Sequence, residues 1–239
     1  RGSLEDHLAQ LRAKKIGIIS VDNLHEFSSA IDVLIYPSFY IPENIKNIKN
    51  CIVKYGWDCY FVEPKNVIKH RSNKQILITT GGSDIGNVGK KLLKLLNTRK
   101  WLDRTFYYVQ GPYADEVDTR GFDNIQLKII DRPSDLEPFM LKTDIGFTLF
   151  GVSFFEFISH KIPVILYVPK GSKDFAISEL IRELEICTVI NDINNFNFAL
   201  ANLIRMKSLR DKYVDNIIKL NMLSGFKTIQ NEICKVIKV

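Results

Sequence analysis

The stretch QILITTGGSD, residues 75–84, decides how the chain folds. Its first part is a short apolar run rich in β-branched residues, the pattern of a strand buried on both faces of a parallel sheet. The run stops at Gly81-Gly82-Ser83, a tight turn, and Val88, Leu92, Leu95 and Leu96 then recur at helical spacing. The same grammar continues downstream. Strand-like runs appear at FYYVQ (106–110), IQLKII (125–130), DIGFTLF (144–150) and PVILYV (163–168). Helical patterns fall between and after them, at 135–141, 153–160, 175–184, 196–206 and 208–220. Strands alternating with helices require crossover connections and a parallel sheet covered on both faces, so the class is α/β. The turn device itself occurs twice, at Thr80-Gly81-Gly82-Ser83 and at Phe150-Gly151-Val152-Ser153.

Upstream, Ser3-Leu4-Glu5-Asp6 has the form of a capping box, and Leu4, Leu8 and Leu11 continue a helix over 4–13. KIGIIS (15–20) and DVLIY (32–36) read as two further buried strands. A helix and two strands are too few for a complete α/β domain, so this part is expected to be the later portion of one that begins upstream of Arg1. From Tyr36 to Asn73, Pro37, Pro42, Gly56 and Pro64 punctuate a run of aromatics, which reads as an irregular interdomain crossing. The expected division is therefore residues 1–72, an incomplete first domain with its linker, and 73–239, a complete second one.

Composition bounds the function. The 239 residues, 46% apolar and 25% charged, suit a folded chain of one or two domains. The longest weakly charged apolar run, Ile145 to Phe155, is about half the ~20 residues that a transmembrane helix needs. A net charge of +6 comes from basic residues scattered through the chain, which argues against a nucleic-acid surface while still favouring an anionic small ligand. The densest basic stretch, Lys65 to Lys74, reads as solvated linker charge. Cys51, Cys59, Cys187 and Cys234 show no C-x-x-C spacing and are expected to be reduced and mostly buried in a cytoplasmic protein.

In an open parallel sheet, ligands bind beyond the carboxyl ends of the strands. Gly81, Gly82 and Ser83 stand there and suit either a phosphate approaching the main chain or an ordinary turn, with Ser83 capping the following helix. Ser153 and Glu156 suit either a capping box or a carboxylate facing a bound ribose. Gly111-Pro112-Tyr113 forms a third loop on the same edge. Among the histidines, His7, His70 and His160 have ordinary surface or helix-end explanations, while His25, after Asp22 at the end of KIGIIS, is a candidate for contact with substrate. No H-E-x-x-H, G-x-S-x-G or P-loop motif occurs, and nothing suggests a metal or a cofactor.

ILITTGGSD, YYVQGPY and the run from Ile129 through TDIGFTLFGVSFFEFISHKIPVILYVP together resemble the carboxyl-terminal half of the UDP-sugar hydrolases of pseudaminic acid biosynthesis. Those hydrolases are GT-B-like relatives of the glycosyltransferases that make peptidoglycan lipid intermediates. IISVDNL, DVLIYPS, YGWDCYFVEP and LSGFKT are similar to further segments of the same family. The resemblance implies two Rossmann-like domains and a UDP or UDP-sugar ligand. It implies that Gly81, Gly82 and Ser83 face the phosphates, that Ile130 meets uracil, that Ser153 and Glu156 hold phosphate and ribose, and that Gly111 and Tyr113 line the pocket. This chain carries Gly151-Val152 where the family has paired glycines, Asn23 for its second aspartate, and no Asn-Gln near 171–174. The family's Gly-His loop, whose histidine is the base, does not occur here, which leaves His25 and Asp22 as catalytic candidates. The implied activity is UDP-sugar hydrolysis, with GT-B glycosyl transfer or non-catalytic sugar-nucleotide binding as alternatives.

Overall fold

The computed structural model describes residues 3–22, 24–63, 72–222 and 224–237. In chain order the elements are α1 (Leu4–Ala13), β1 (Ile19–Val21), β2 (Val33–Tyr36), α2 (Glu43–Lys46), β3 (Ile52–Tyr55), β4 (Gln75–Thr79), α3 (Val88–Leu96), β5 (Thr105–Gln110) and β6 (Gln126–Asp131). There follow α4 (Glu137–Met140), β7 (Ile145–Leu149), α5 (Val152–Ser159), β8 (Val164–Tyr167), α6 (Phe175–Leu184), β9 (Thr188–Ile190), α7 (Phe196–Arg205), α8 (Lys207–Lys219) and α9 (Gly225–Val236). The chain forms two compact units, Arg1–Pro64 with Asn221–Val239, and Lys65–Leu220.

The first unit holds a three-stranded parallel sheet in the order β1-β2-β3. Helix α1 starts on the expected capping box, with Ser3 and Asp6 bonding reciprocally. Its last turn is tied to the sheet through Asp32, whose carboxylate accepts from Arg12 and from the Ile18 amide, both at 2.7 Å. Helix α9 closes this unit: Ile229 and Val236 pack on Val33, Ile35 and Cys59, and the Gly225 amide donates to the Tyr60 carbonyl at 2.8 Å. Glu232 of α9 is 3% exposed and is met by Lys235 at 2.7 Å and Lys54 at 3.7 Å. Helix α9, expected with the second domain, therefore packs with the first.

The second unit is a six-stranded sheet in the order β6-β5-β4-β7-β8-β9, with every neighbouring pair parallel. The central strands β4 and β7 are buried along nearly their whole length, whereas the edge strand β6 alternates exposed and covered residues. Leu92, Leu93 and Leu96 of α3 and Phe196, Leu200 and Leu203 of α7 belong to the same core, where Phe147 meets Phe196 edge-on at 5.2 Å. At the start of β4 the buried Asp144 carboxylate accepts from the Ser72 hydroxyl (2.7 Å) and from the amides of Ser72 (3.0 Å), Lys74 (2.9 Å) and Gln75 (3.0 Å). The chain builds β4, β5 and β6 in one direction, then returns past β4 and builds β7, β8 and β9 in the other. The order reverses between β4 and β7, and a crevice opens at such a switch point.

Several elements differ from the sequence reading. The stretch read as an irregular crossing contains β3, a four-residue edge strand too exposed to show a buried pattern. The edge strand β9, three residues long, was likewise not anticipated. The strand expected at 15–20 sits later, at Ile19–Val21. Among the cysteines, Cys59 and Cys187 are buried free thiols, with Cys59 pushed up to about 12 by burial, but Cys234 is exposed. Of the basic stretch, His70, Arg71 and the residues from Lys65 to Lys69 lie outside the described residues, as does Asn23.

Candidate nucleotide site

Strand pairing brings the two Gly/Ser turns together. Thr79 of β4 and Thr148 of β7 are register partners, so the chain leaves both strands side by side although the turns lie some 70 residues apart in sequence. Between them lies a cleft of about 510 Å³. The β4 turn contributes Thr80 to Ser83 and Ile85, the β7 turn contributes Phe150 to Ser153, and the loop after β8 contributes Val168, Pro169, Ser172 and Asp174.

The β4 turn is shaped by its backbone. Gly81 has φ +81°, a left-handed conformation that only glycine adopts without strain. Ser83 was expected as a possible cap of α3, but that helix starts at Val88, and the Asp84 carboxylate takes the Gly89 amide at 2.9 Å instead. Ser83 is thereby left exposed, and its hydroxyl makes no hydrogen bond to other described residues. The third loop leans directly on this turn: the Tyr113 amide donates to the Gly82 carbonyl at 2.8 Å. A Cβ on Gly111 would sit on the carbonyl oxygens of Gly81 and Gly82, so this crossing of two main chains admits only glycine. Gln110, buried behind it, fixes the loop from both sides, donating to Asp131 at 3.0 Å and accepting from the Val117 amide at 3.1 Å.

On the other turn, the N-cap of α5 is Gly151, not Ser153, and it makes no side-chain capping bond. A capping box would need its acid at position 154, which is Phe154, so Ser153 and Glu156 do not form one. Glu156 is half-buried one turn into the helix. Burial holds its carboxyl above the usual carboxylate range, the Ser153 hydroxyl opposes this, and Asp135 adds to it. Such a group binds its proton more readily folded than unfolded. Its contribution to stability is complete below the ordinary carboxylate value and is lost as pH rises through the folded value. Glu156→Gln should therefore leave the thermal midpoint of the free protein at pH 7 to 8 unchanged or higher. Affinity for UDP should fall by about 1 to 3 kcal/mol if the carboxylate accepts ribose hydroxyls. Melting curves and calorimetry on one preparation separate the two effects, and an unchanged affinity would remove Glu156 from the site.

Of the residues singled out by sequence, Gly81, Gly82, Ser83 and Ser153 line one cleft, and Gly111 and Tyr113 abut it, with Tyr113 84% exposed. Ile130 and Glu156 do not line it. Ile130 lies in β6, at the sheet edge, where one row of main-chain groups has no partner strand among the described residues. Asp22 and His25 belong to the first unit. Asp22 follows β1 with φ +60°, and His25 opens a 3-10 turn with its Nδ1 3.6 Å from Glu26. The sequence reading had Thr80 only as the start of the turn and did not single out Ile85, Ser172 or Asp174. Among the described residues no cluster of His, Cys, Asp and Glu could hold a metal ion, and no helix is long and apolar enough to cross a membrane.

No protein-family model matches the chain, and no curated protein matches its sequence. Solved structures do match its fold. The glycosyltransferase SnogD from Streptomyces nogalater aligns with a TM-score of 0.66 at 11% identity, over 97% of this chain and 75% of its own. MurG from Acinetobacter baumannii aligns at 0.55 and 12% identity, over 93% and 68%. A TarM variant from S. aureus, crystallised with UDP among its ligands, aligns at 0.57 and 12% identity, over 89% of this chain and 45% of its own. The fold is therefore GT-B-like, with two parallel-sheet α/β units.

Proposed function

We propose that this chain carries the donor half of a nucleotide-sugar-dependent GT-B glycosyltransferase. The observation that supports this most directly is the pairing of two Gly/Ser turns at the switch point of one parallel sheet. A diphosphate there would meet the main chain at Gly81 and Gly82, the hydroxyls of Ser83 and Ser153, and the uncapped start of α5, without need of a metal. Glu156 would take the ribose, Ile130 the base through its main chain, and Gly111 and Tyr113 the flank. The fold neighbours include glycosyltransferases, which favours transfer to an acceptor hydroxyl.

Hydrolysis of a UDP-sugar is the second reading, carried by the sequence resemblance. The same donor half would serve, with water in place of the acceptor. His25 and Asp22, which follow β1 in the first unit, are the sequence's candidates for a base. General-base work requires a group within ~2.6 to 3.2 Å of the attacking oxygen, directly or through one water. UDP release that requires an added alcohol would support transfer, and release in buffer alone would support hydrolysis.

Titration calorimetry with UDP, ADP and inorganic phosphate tests the nucleotide reading. UDP is expected to bind more tightly than the other two. Equal weak binding of all three would mean that the cleft holds no uridine diphosphate.

A further inference from the structure

We propose that the cleft selects its donor by the charge of the glycosyl group, accepting a neutral or ammonium-bearing sugar and rejecting a carboxylate-bearing one, with Asp174 as the specificity-determining residue. This rests on the nucleotide-sugar reading above. The sheet order supplies the geometry: the turns after β4 and β7 are adjacent, and the loop after β8 stands next in line. With a diphosphate held between the first two turns and the nucleoside directed towards β5 and β6, the β8 loop is left to the sugar.

That loop carries two polar groups without partners among the described residues. The Ser172 hydroxyl is buried and unpaired. Asp174 is the N-cap residue of α6, yet its side chain makes no capping bond, and its carboxylate forms no ion pair with a described residue. Among the described residues Asp174 is also the only acidic or basic one that lines the cleft, and no described Lys, Arg or His lines it. Lys170 and Lys173 flank the loop, but both are exposed and neither lines the cleft. Much of the remaining wall is apolar, from Ile85, Val88, Leu149, Phe150, Val152 and Val168, so a second negative charge there would be poorly screened. A sugar hydroxyl or ammonium can instead donate to the Asp174 carboxylate in a charge-assisted hydrogen bond.

UDP-glucose and UDP-glucuronate differ only at the sixth carbon of the sugar and serve as probes. In calorimetry the wild type should bind UDP-glucuronate about tenfold more weakly than UDP-glucose, the size of one like-charge repulsion at short range. In Asp174→Asn that ratio should shrink to about threefold or less, and a melting curve confirms that the variant is folded, as expected where no capping bond is lost. A wild-type ratio near one, or a ratio unmoved by Asp174→Asn, overturns the assignment while leaving the nucleotide reading intact. Failure of UDP itself to bind overturns both.

Discussion

Gly111→Ala is expected to abolish measurable UDP binding and to lower the unfolding free energy of the second unit by about 3 kcal/mol, the upper range for forcing extra atoms into a filled space. The added methyl would meet main-chain oxygens, those of Gly81 and Gly82, rather than the movable end of a side chain. The β4 turn cannot yield easily, because Gly81 is fixed in a left-handed conformation and the Tyr113 amide holds the Gly82 carbonyl. Nor can the Gly111 loop yield, because Gln110 anchors it to Asp131 and Val117. The strain therefore falls on the turn that we propose faces the diphosphate. Urea denaturation and calorimetry check the two parts, and wild-type values in both would show that the two loops separate freely.

Asp144→Ala should cost about 3 to 5 kcal/mol in chemical denaturation without altering UDP affinity in the molecules that remain folded. The carboxylate is 7% exposed and takes four donors from the segment that leads into β4. Its removal leaves those donors without an acceptor in a space that water enters poorly, and each such loss is costly. Asp144 precedes β7 and so lies at the opposite end of the strands from the cleft, which is why affinity is expected to hold. A loss below about 1 kcal/mol would mean that water replaces the carboxylate without penalty.

How much of this could be read in advance depends on how each feature is encoded. Ile76 to Thr79 and Ile145 to Leu149 are mostly apolar because both faces of their strands are covered, so the central strands were visible in composition alone. Ile52–Tyr55 and Thr188–Ile190 were not visible, because an edge strand of three or four residues borrows its regularity from its neighbour. The cleft was half visible. Glycine and serine after a strand mark a turn, but nothing in the spacing of Gly81 and Ser153 shows that their strands are adjacent; only pairing does that. Ser153-x-x-Glu156 has the letters of a capping box, and only the start of α5 at Val152 shows that it is not one. Asp174 was invisible for a related reason: a lone aspartate before a helix is what any N-cap looks like, and what sets it apart is a bond that it does not make.

The return of residues 221–239 to the first unit has a consequence for how this protein can be taken apart or recombined. The second unit is an interior passage of the chain, entered and left through two covalent crossings. A gene fragment cut at residue 73 and carried to the end would bring α9 along without Val33, Ile35 and Cys59, leaving Ile229 and Val236 facing water. The segment that leaves these contacts whole is the insert Lys65–Leu220. An exchange of the second unit between related chains would accordingly proceed as an internal replacement that keeps both β1–β3 and α9.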